Sequence, residues 1–303
     1  MQKTIFVLGA TGNLGGKITK ALLKKGADVK AIVRLETQTE KINELKKLGV
    51  KVFQVDTKNK SEISKHFKGA DTVVSALAGL RETVIDSQKI FLDAAIEAGV
   101  KRFIPSDYSI DFTNLKEGEN RNLDLRREFH SYLDKTPIQA TTIFNGPFMD
   151  LLTTDMPLIL FKKKRILCWG NPNQKLEFTT TYNIAEFTAA VALDDSSPRY
   201  LRITGDQLSC NDFVKLMTEL SGNNYKLFRP GGIGLLNFFI KMTRFFSPSK
   251  KELYPAWQGM QYMRDMMEGK IIFQKYSNDR YPEIKWITVK EFLLKEANLN
   301  EGK

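Results

Sequence analysis

Short apolar runs and amphipathic segments alternate along the first 105 residues, with only short turns between them. The apolar runs predict strands over 4–8, 28–33, 50–55, 71–76 and 101–105. The segments with helical periodicity predict helices over 14–25, 38–48, 60–67 and 83–98. Strands that alternate with helices form a parallel sheet covered on both faces. The pattern therefore predicts an α/β protein built on a doubly wound parallel sheet.

One more helix and one more strand follow before the alternation becomes irregular. We expect this helix over about 122–134, with Asn122 as its N-cap, and a sixth strand over 140–144. The composition changes after Gly146-Pro147. Residues 1–150 are therefore expected to form one domain around the sheet.

The rest of the chain predicts a smaller, discontinuous α/β region made of residues 151–179 and 205–303. An amphipathic helix over 183–194 and a short strand over 200–204 indicate that residues 180–204 return to the first domain. Further helices are expected over 209–221, with Ser209 as N-cap, over 231–246, and from about residue 288.

The first predicted strand ends in a glycine-rich turn within TIFVLGATGNLGG, residues 4–16. Gly9 allows the tight turn, Gly12 leaves room for a pyrophosphate, and Gly15 lets the next helix pack closely. The free N–H groups at that helix start then face the phosphates. Three spaced glycines also occur in ordinary βα turns, but the position between a strand and a helix favours dinucleotide binding.

The end of the second strand carries information about which dinucleotide binds. A carboxylate usually stands there when the ribose has a free 2′-hydroxyl, whereas this chain has Arg34. A guanidinium suits a 2′-phosphate, so NADP is favoured over NAD. Two points weigh against this interpretation: the carboxylate Glu36 is nearby, and an arginine also suits a solvated strand end. Asp56, which closes the third strand, either accepts from the adenine amino group or caps a turn.

The fourth and fifth strands end in small and polar residues. Ser75 and Ala76 allow close approach of the nicotinamide-side ribose at the carboxyl edge of the sheet, where open α/β sheets bind ligands. Ser106 and Tyr108 follow the fifth strand and fall near the expected position of the reacting carbon. Tyr108 is the nearest candidate proton donor, and half-buried packing is its alternative role.

The composition excludes several classes of protein. The 303 residues have a net charge of +11, which suits nucleic acid, an acidic membrane surface or a phosphorylated cofactor, but most simply a solvated basic surface. No run is long and apolar enough to span a membrane. The start lacks the features of a secretion signal, and Cys168 and Cys210 lack a partner motif, so a cytoplasmic protein with reduced thiols is expected. Two isolated histidines and no clustered ligands argue against a metal site.

Three further stretches have a functional and a structural interpretation. The basic runs at 162–165 and 250–251 lack interleaved aromatic residues, so solvated loops are favoured over specific nucleic-acid binding. Residues 233–246 combine an apolar face with Lys241 and Arg244; they belong either to a membrane interface or, more commonly, to a substrate cavity or core. Trp257, Tyr262 and Met263 either wall an apolar substrate pocket or form a small-domain core.

Taken together, several segments resemble the NmrA-like and isoflavone-reductase-like family of atypical short-chain dehydrogenases. The segments are GATGNLG, AIVR, AAIEAGVKRFIPSDYS, TTIFNGPFMD, YNIAEFT and ITGDQLSCNDFVKLMTELSG. They cover nearly the whole chain in order, and only the first is generic. The resemblance implies a Rossmann domain that binds NADP(H).

The resemblance also implies positions for the cofactor. The phosphates are expected beside Gly9, Thr11, Gly12, Asn13, Leu14 and Arg34. Ala76 and Leu77 are expected beside the nicotinamide half, with Ser106 and the turn from Asn145 to Phe148 around the ring.

One catalytic feature of the resembled reductases is missing. Members that reduce phenylpropanoids carry a lysine at the start of a helix that ends in an Arg-Arg pair. Alignment on Arg126-Arg127 puts Asn122 at that position, and an amide cannot do what a lysine does. The chain also lacks the Tyr-x-x-x-Lys pair of ordinary short-chain dehydrogenases.

Two hypotheses follow for the function. The first is an NADPH-dependent reductase that transfers hydride to a small aromatic or apolar carbonyl or alkene compound. The second is an NADP(H)-sensing regulator that binds the cofactor without using it and acts through a protein partner, as some NmrA-like members do. The missing lysine supports the second, and an enclosed aromatic pocket would oppose it.

Overall fold

A six-stranded parallel sheet forms the centre of the protein, whose computed structural model describes residues 2–270, 273 and 275–301. The strand order is β3-β2-β1-β4-β5-β6. The strands are β1 (Thr4–Leu8), β2 (Asp28–Arg34), β3 (Lys51–Val55), β4 (Thr72–Ser75), β5 (Arg102–Ile104) and β6 (Gln139–Ala140). The predicted doubly wound α/β fold is confirmed, and β1 to β5 lie within one residue of their predicted bounds. The sixth strand, predicted over 140–144, is instead divided between β6 and a separate strand over Thr142–Phe144.

Helices cover both faces of this sheet. They are α1 (Asn13–Lys24), α2 (Thr39–Lys47), α3 (Lys60–Phe67), α4 (Gln88–Glu97) and α5 (Arg121–Leu133). A π-helical turn over Glu82–Ser87 leads directly into α4. Successive residues of a strand point to opposite faces. Ile5 and Val7 of β1 therefore belong to a core cluster with α1 and α2, and Phe6 and Leu8 belong to the cluster with α3 and α4.

The chain then continues through shorter strands and five more helices among the described residues. In order, they are β7 (Thr142–Phe144), β8 (Ile159–Leu160), β9 (Arg165–Trp169), β10 (Lys175–Phe178), α6 (Thr181–Leu193), β11 (Tyr200–Arg202), β12 (Asp206–Ser209), α7 (Cys210–Ser221), β13 (Lys226–Gly231), α8 (Ile233–Phe246), α9 (Ala256–Met267) and α10 (Val289–Glu301). β11 pairs in parallel with β7, and α6 packs against α1. The division of the chain into two domains stays a prediction.

The two predicted helix caps had different outcomes. Ser209 caps α7 as predicted, and it forms a capping box with Asp212. The prediction of Asn122 as the N-cap of α5 is wrong, because Asn120 caps this helix and accepts from the N–H of Leu123. Asn122 lies inside the first turn instead. No helix in the described part of the chain is long and apolar enough to cross a membrane.

A buried polar network joins β5, α5 and β7. Asp107 follows β5 and is 1% exposed, and its Oδ2 lies 2.5 Å from Nε2 of His130 on α5. The Thr142 hydroxyl donates to the same oxygen (2.9 Å), and Arg199 donates to the Thr142 oxygen (2.7 Å). Burial alone would raise the pKa of Asp107, but His130, together with Arg126 and Thr142, holds it below the ordinary value.

Asp107→Asn should destabilise the protein at neutral pH by about 1–3 kcal/mol, because it removes the carboxylate that His130 and Thr142 contact in a buried hydrogen-bond network. A carboxylate whose pKa is lower in the folded than in the unfolded protein stabilises the folded state. This contribution is complete at pH values above the ordinary pKa of about 4, and it is lost as the pH falls through the lowered pKa. Urea unfolding at several pH values should therefore show the largest difference from wild type near neutrality and a smaller one in acid.

Asp195→Asn is the matched control, since the Asp195 side chain is 82% exposed in its ion pair with Lys3. This variant should unfold like the wild type. Equal losses in the two variants would contradict the structural role of the Asp107 network.

Candidate cofactor and substrate site

The glycine turn after β1 is closed so tightly that side chains are excluded at two of its positions. Gly9 has a φ of +75°, and a Cβ there would lie 2.6 Å from the carbonyl oxygen of Ala76. A Cβ on Gly15 would lie 2.1 Å from the Gly9 carbonyl oxygen. A Cβ on Gly12 would meet only the Gly9 carbonyl oxygen, at 3.3 Å. The turn is thus packed on its protein side, and Gly12 lies at its exposed side.

The start of α1 has the properties of an anion site. Gly12 is the N-cap and supplies no side-chain cap, and no acidic residue lies in the first turn. Thr11 and Leu14 are half-buried, and Asn13 is exposed and accepts from Lys17 Nζ at 2.8 Å. Uncapped N–H groups and the helix dipole favour a negative group at this point.

The ends of β2 and β3 carry the two residues predicted to contact the adenosine half. Arg34 is exposed at the end of β2 and forms no ion pair within the described residues. Asp56 accepts from the backbone N–H of Lys58 at 2.9 Å, which is the turn-capping role that the sequence left open. Arg34 is therefore free to bind an anion, while one oxygen of Asp56 is already engaged.

Backbone and side-chain contacts join the ends of β4 and β5. The Ser106 hydroxyl donates to the Leu77 carbonyl at 2.6 Å, and the Ser106 N–H donates to Gln88 Oε1 at 2.8 Å. Ala76 and Leu77 are half-buried, while Ser75 is fully buried and its Oγ has no hydrogen-bond partner in the described structure. The structure thus brings these predicted residues together at the carboxyl edge of the sheet.

The turn after β7 adds one further polar atom. Asn145 is fully buried, and its Nδ2 donates to the Gly146 carbonyl at 2.6 Å. Its Oδ1 has no partner among the described groups. Phe148 is half-buried against the core cluster beneath α1 and α6. A buried amide oxygen without a donor is uncommon in native structures and fits a site that a ligand completes.

Tyr108 does not face this edge in a way that suits proton donation. Its side chain is 7% exposed and packs in the core cluster that contains Ile184 and Ala185 of α6. The hydroxyl is shielded from solvent, and burial raises the pKa of Tyr108 well above its ordinary value. The contacts of Tyr108 are thus those of the packing role that the sequence left open as its alternative.

A second tyrosine, Tyr262, lies near the start of α5. Asn122 is 1% exposed, and its amide Nδ2 donates to the Leu253 carbonyl at 3.0 Å. Burial raises the pKa of Tyr262, and the charge of the nearby Arg126 opposes the rise. Tyr262 thus lies near Arg126 and Asn122 of α5.

Buried side chains of α9 hold the start of α5 in place. Asn120 donates to Asp265 Oδ2 at 2.7 Å and accepts from Gln258 Nε2 at 2.8 Å. Arg264 donates to the other oxygen of Asp265 (Nε, 2.8 Å) and to the Glu119 carbonyl (3.0 Å). The sequence pattern alone does not reveal this network. Three of its four side chains lie on α9, whose polar residues recur at helical spacing, and that spacing is the signal from which the helix could be predicted.

Two arginines stack on Trp257, which is 2% exposed. The guanidinium carbon of Arg121 lies 4.7 Å from the ring centroid and that of Arg244 lies 5.2 Å away. Neither arginine forms an ion pair in the described part of the chain, and burial together with the Arg244 charge lowers the pKa of Arg121. Both line a cavity of about 520 Å³ beside α5.

The three predicted pocket residues therefore have different surroundings. Tyr262 is half-buried beside Asn122, and Trp257 lies between the arginines. Met263 packs in the main core cluster of the second half of the chain, which agrees with the core role that the sequence left open as its alternative. No group of three or more His, Cys, Asp or Glu side chains suited to a metal ion occurs among the described residues.

Known proteins share both the sequence pattern and the fold. Probable pinoresinol-lariciresinol reductase 3 from Arabidopsis thaliana is 25% identical over 310 residues, which cover 96% of this chain and 97% of that protein. The crystal structure of an isoflavone reductase matches with a TM-score of 0.81 at 19% identity, over 97% of this chain and 99% of that one.

A complex of leucoanthocyanidin reductase with NADPH from Vitis vinifera matches with a TM-score of 0.78 at 17% identity, over 96% of this chain and 98% of that one. Its cofactor agrees with the one that the sequence predicts for this chain. The family model described as NmrA-like matches residues 1–229. The resemblance found in the sequence is thus confirmed, and the chain belongs to the NmrA-like family.

Proposed function

We propose that this protein is an NADPH-dependent reductase of a small aromatic or apolar compound with a reducible carbonyl or alkene group. The observation that carries the proposal is the joining, at the carboxyl edge of the sheet, of a phosphate cradle and the ends of β4 and β5. The cradle is the turn from Gly9 to Gly15, where Gly9 packs against Ala76 after β4, and the Ser106 hydroxyl after β5 donates to the Leu77 carbonyl. Similarity to reductases named for aromatic substrates supports the same class of reaction.

In this proposal the phosphates and the nicotinamide half of NADP(H) have partners of suitable chemistry. The N–H groups at the start of α1 would hold the pyrophosphate, and Arg34, which forms no ion pair among the described residues, would hold the 2′-phosphate. Ala76, Leu77 and Ser106 would line the nicotinamide side, and Asn145 Oδ1 would be available to the carboxamide. When bound, the cofactor would supply a hydride from its nicotinamide ring.

The protein's own groups then stabilise the product of that transfer. Hydride addition to a carbonyl or a conjugated alkene leaves negative charge on the substrate, and positive or hydrogen-bonding groups aimed at this charge accelerate the step. Arg126 and the Tyr262 hydroxyl lie beside Asn122 and fulfil this requirement. We assign proton donation to Tyr262, because the Asn122 amide is neutral and already bonded to Leu253.

A second function, the NADP(H)-sensing regulator, is favoured by one observation. Asn122, which the resemblance aligns with the family lysine, is almost fully buried and donates to a backbone carbonyl. An amide in that role contributes to structure and transfers no proton. A cofactor-binding protein without turnover would need nothing more from this position.

Arg34→Asp should weaken NADPH binding about tenfold or more and leave NADH binding nearly unchanged, because the variant loses the partner of the 2′-phosphate. Fluorescence titration with both cofactors measures the two dissociation constants. Lys215→Asp, an equal charge reversal at an exposed residue of α7, should change neither. Equal losses for NADPH and NADH in Arg34→Asp would contradict the cofactor assignment.

Purified protein should oxidise NADPH in the presence of at least one member of a panel of quinones, aromatic aldehydes and phenylpropanoid compounds. Tyr262→Phe should then lower kcat about 100-fold without changing NADPH affinity, because the variant lacks the hydroxyl that donates the proton. Tyr254→Phe is the control, since Tyr254 is 63% exposed and its ring lies 6.5 Å from that of Tyr262. NADPH binding without oxidation above background across the panel would favour the regulator.

A further inference from the structure

Helix α8 is apolar on two faces, and only one of them is packed. Leu236 and Ile240 are buried and belong to the core cluster of the second half of the chain. A second set of large apolar side chains on the same helix is exposed. These are Leu235 (39%), Phe238 (55%), Met242 (41%), Phe245 (80%) and Phe246 (76%).

The exposed residues form one continuous stripe. With about 100° of rotation per residue, the five side chains fall within an arc of about 100°, away from Leu236 and Ile240. Single exposed apolar residues are ordinary, but a contiguous apolar patch marks a surface that binds a protein or a membrane. The packing of this protein does not require the stripe, because the other face already fixes α8 to the core.

The charges around the stripe favour one of these partners. Residues 233–246 contain no Asp or Glu. Lys241 borders the stripe, and Lys250 and Lys251 follow the helix; all three are exposed and without an ion pair in the described structure. A second copy of this chain would bring the same positive charges to the contact, whereas a bilayer with anionic headgroups offers opposite charge. The net charge of +11 acts in the same direction.

The stripe is also connected to the candidate substrate site. The segment after α8 receives hydrogen bonds from three residues of that site. Arg121 Nη2 and Asn122 Nδ2 donate to the Leu253 carbonyl at 2.8 and 3.0 Å, and Trp257 Nε1 donates to the Pro248 carbonyl at 3.2 Å. A surface that contacts α8 therefore lies one short segment away from the site.

We propose that α8 is a membrane-docking helix, which lies in the interface of bilayers that contain anionic lipids. Phe238, Phe245 and Phe246 enter the boundary between headgroups and acyl chains, and Lys241 and the Lys250-Lys251 pair contact the headgroups. Docking of this kind needs no membrane span. It places the candidate site next to a phase in which apolar compounds concentrate.

Sedimentation with vesicles tests the proposal on the full-length protein. The protein should bind vesicles of phosphatidylcholine with about 30% phosphatidylserine, bind pure phosphatidylcholine far more weakly, and dissociate as salt is raised. Phe245→Ser/Phe246→Ser should lower the partition coefficient tenfold or more. Leu48→Ser removes an apolar side chain of 42% exposure elsewhere and should leave binding unchanged.

A charge variant tests the electrostatic half separately. Lys250→Glu/Lys251→Glu should weaken binding to the mixed vesicles at least tenfold, whereas Lys46→Glu/Lys47→Glu, the same charge change on exposed residues of α2, should retain most of it. Circular dichroism and the thermal midpoint of each variant show that it is folded. Because the altered residues are exposed, we expect midpoints close to that of the wild type.

Several results would overturn the proposal. One is that the wild type binds neither kind of vesicle; another is that the α2 variant loses as much binding as the Lys250-Lys251 variant. In a third, light scattering finds that the wild type is a dimer and that the Phe245→Ser/Phe246→Ser variant is a monomer, and neither protein binds vesicles. That result would assign the stripe to contact between copies of the chain.

Discussion

The close packing around the Gly9 peptide is the constraint on which the site depends. Its carbonyl accepts from the Gly12 N–H at 2.9 Å, and a Cβ at Gly15 would lie only 2.1 Å from the same oxygen. On the other side, a Cβ at Gly9 would meet Ala76 at the end of β4. One peptide therefore fixes the start of α1 against two neighbouring strands, and the anion-binding end of the helix cannot move relative to the carboxyl edge of the sheet.

The facing side of the site is positioned by other means. Asn120 caps α5 and at the same time bonds Gln258 and Asp265 of α9. A helix from the last third of the chain thus determines where α5 begins, and with it the place of Asn122. These contacts are buried and polar, so they specify geometry more strictly than apolar packing would. The glycine turn is thus fixed by backbone contact, and the start of α5 is fixed by side-chain networks.

This difference explains what the sequence could predict. The central strands are continuous apolar runs and the glycine turn is a contiguous motif, so local pattern was sufficient for both. Asn120 and Asn122 are equally good caps in the local sequence, and only contacts with α9, more than 130 residues away, distinguish them. Tyr108 is a similar case, because nothing in the residues around it indicates that α6 covers its side chain.

The resemblance aligns Asn122 with a lysine of the phenylpropanoid reductases, and this difference bears on what the neighbouring charges can do. A lysine there would carry both a positive charge and a transferable proton; the amide carries neither. Arg126 supplies charge close to that position, and Arg121 and Arg244, which stack on Trp257 and form no ion pair among the described residues, add more. Under the proposed function, guanidinium groups then stabilise the developing anion and a separate hydroxyl donates the proton. Because arginine stays protonated at all physiological pH values, such a site keeps its positive field where a lysine of lowered pKa would lose it.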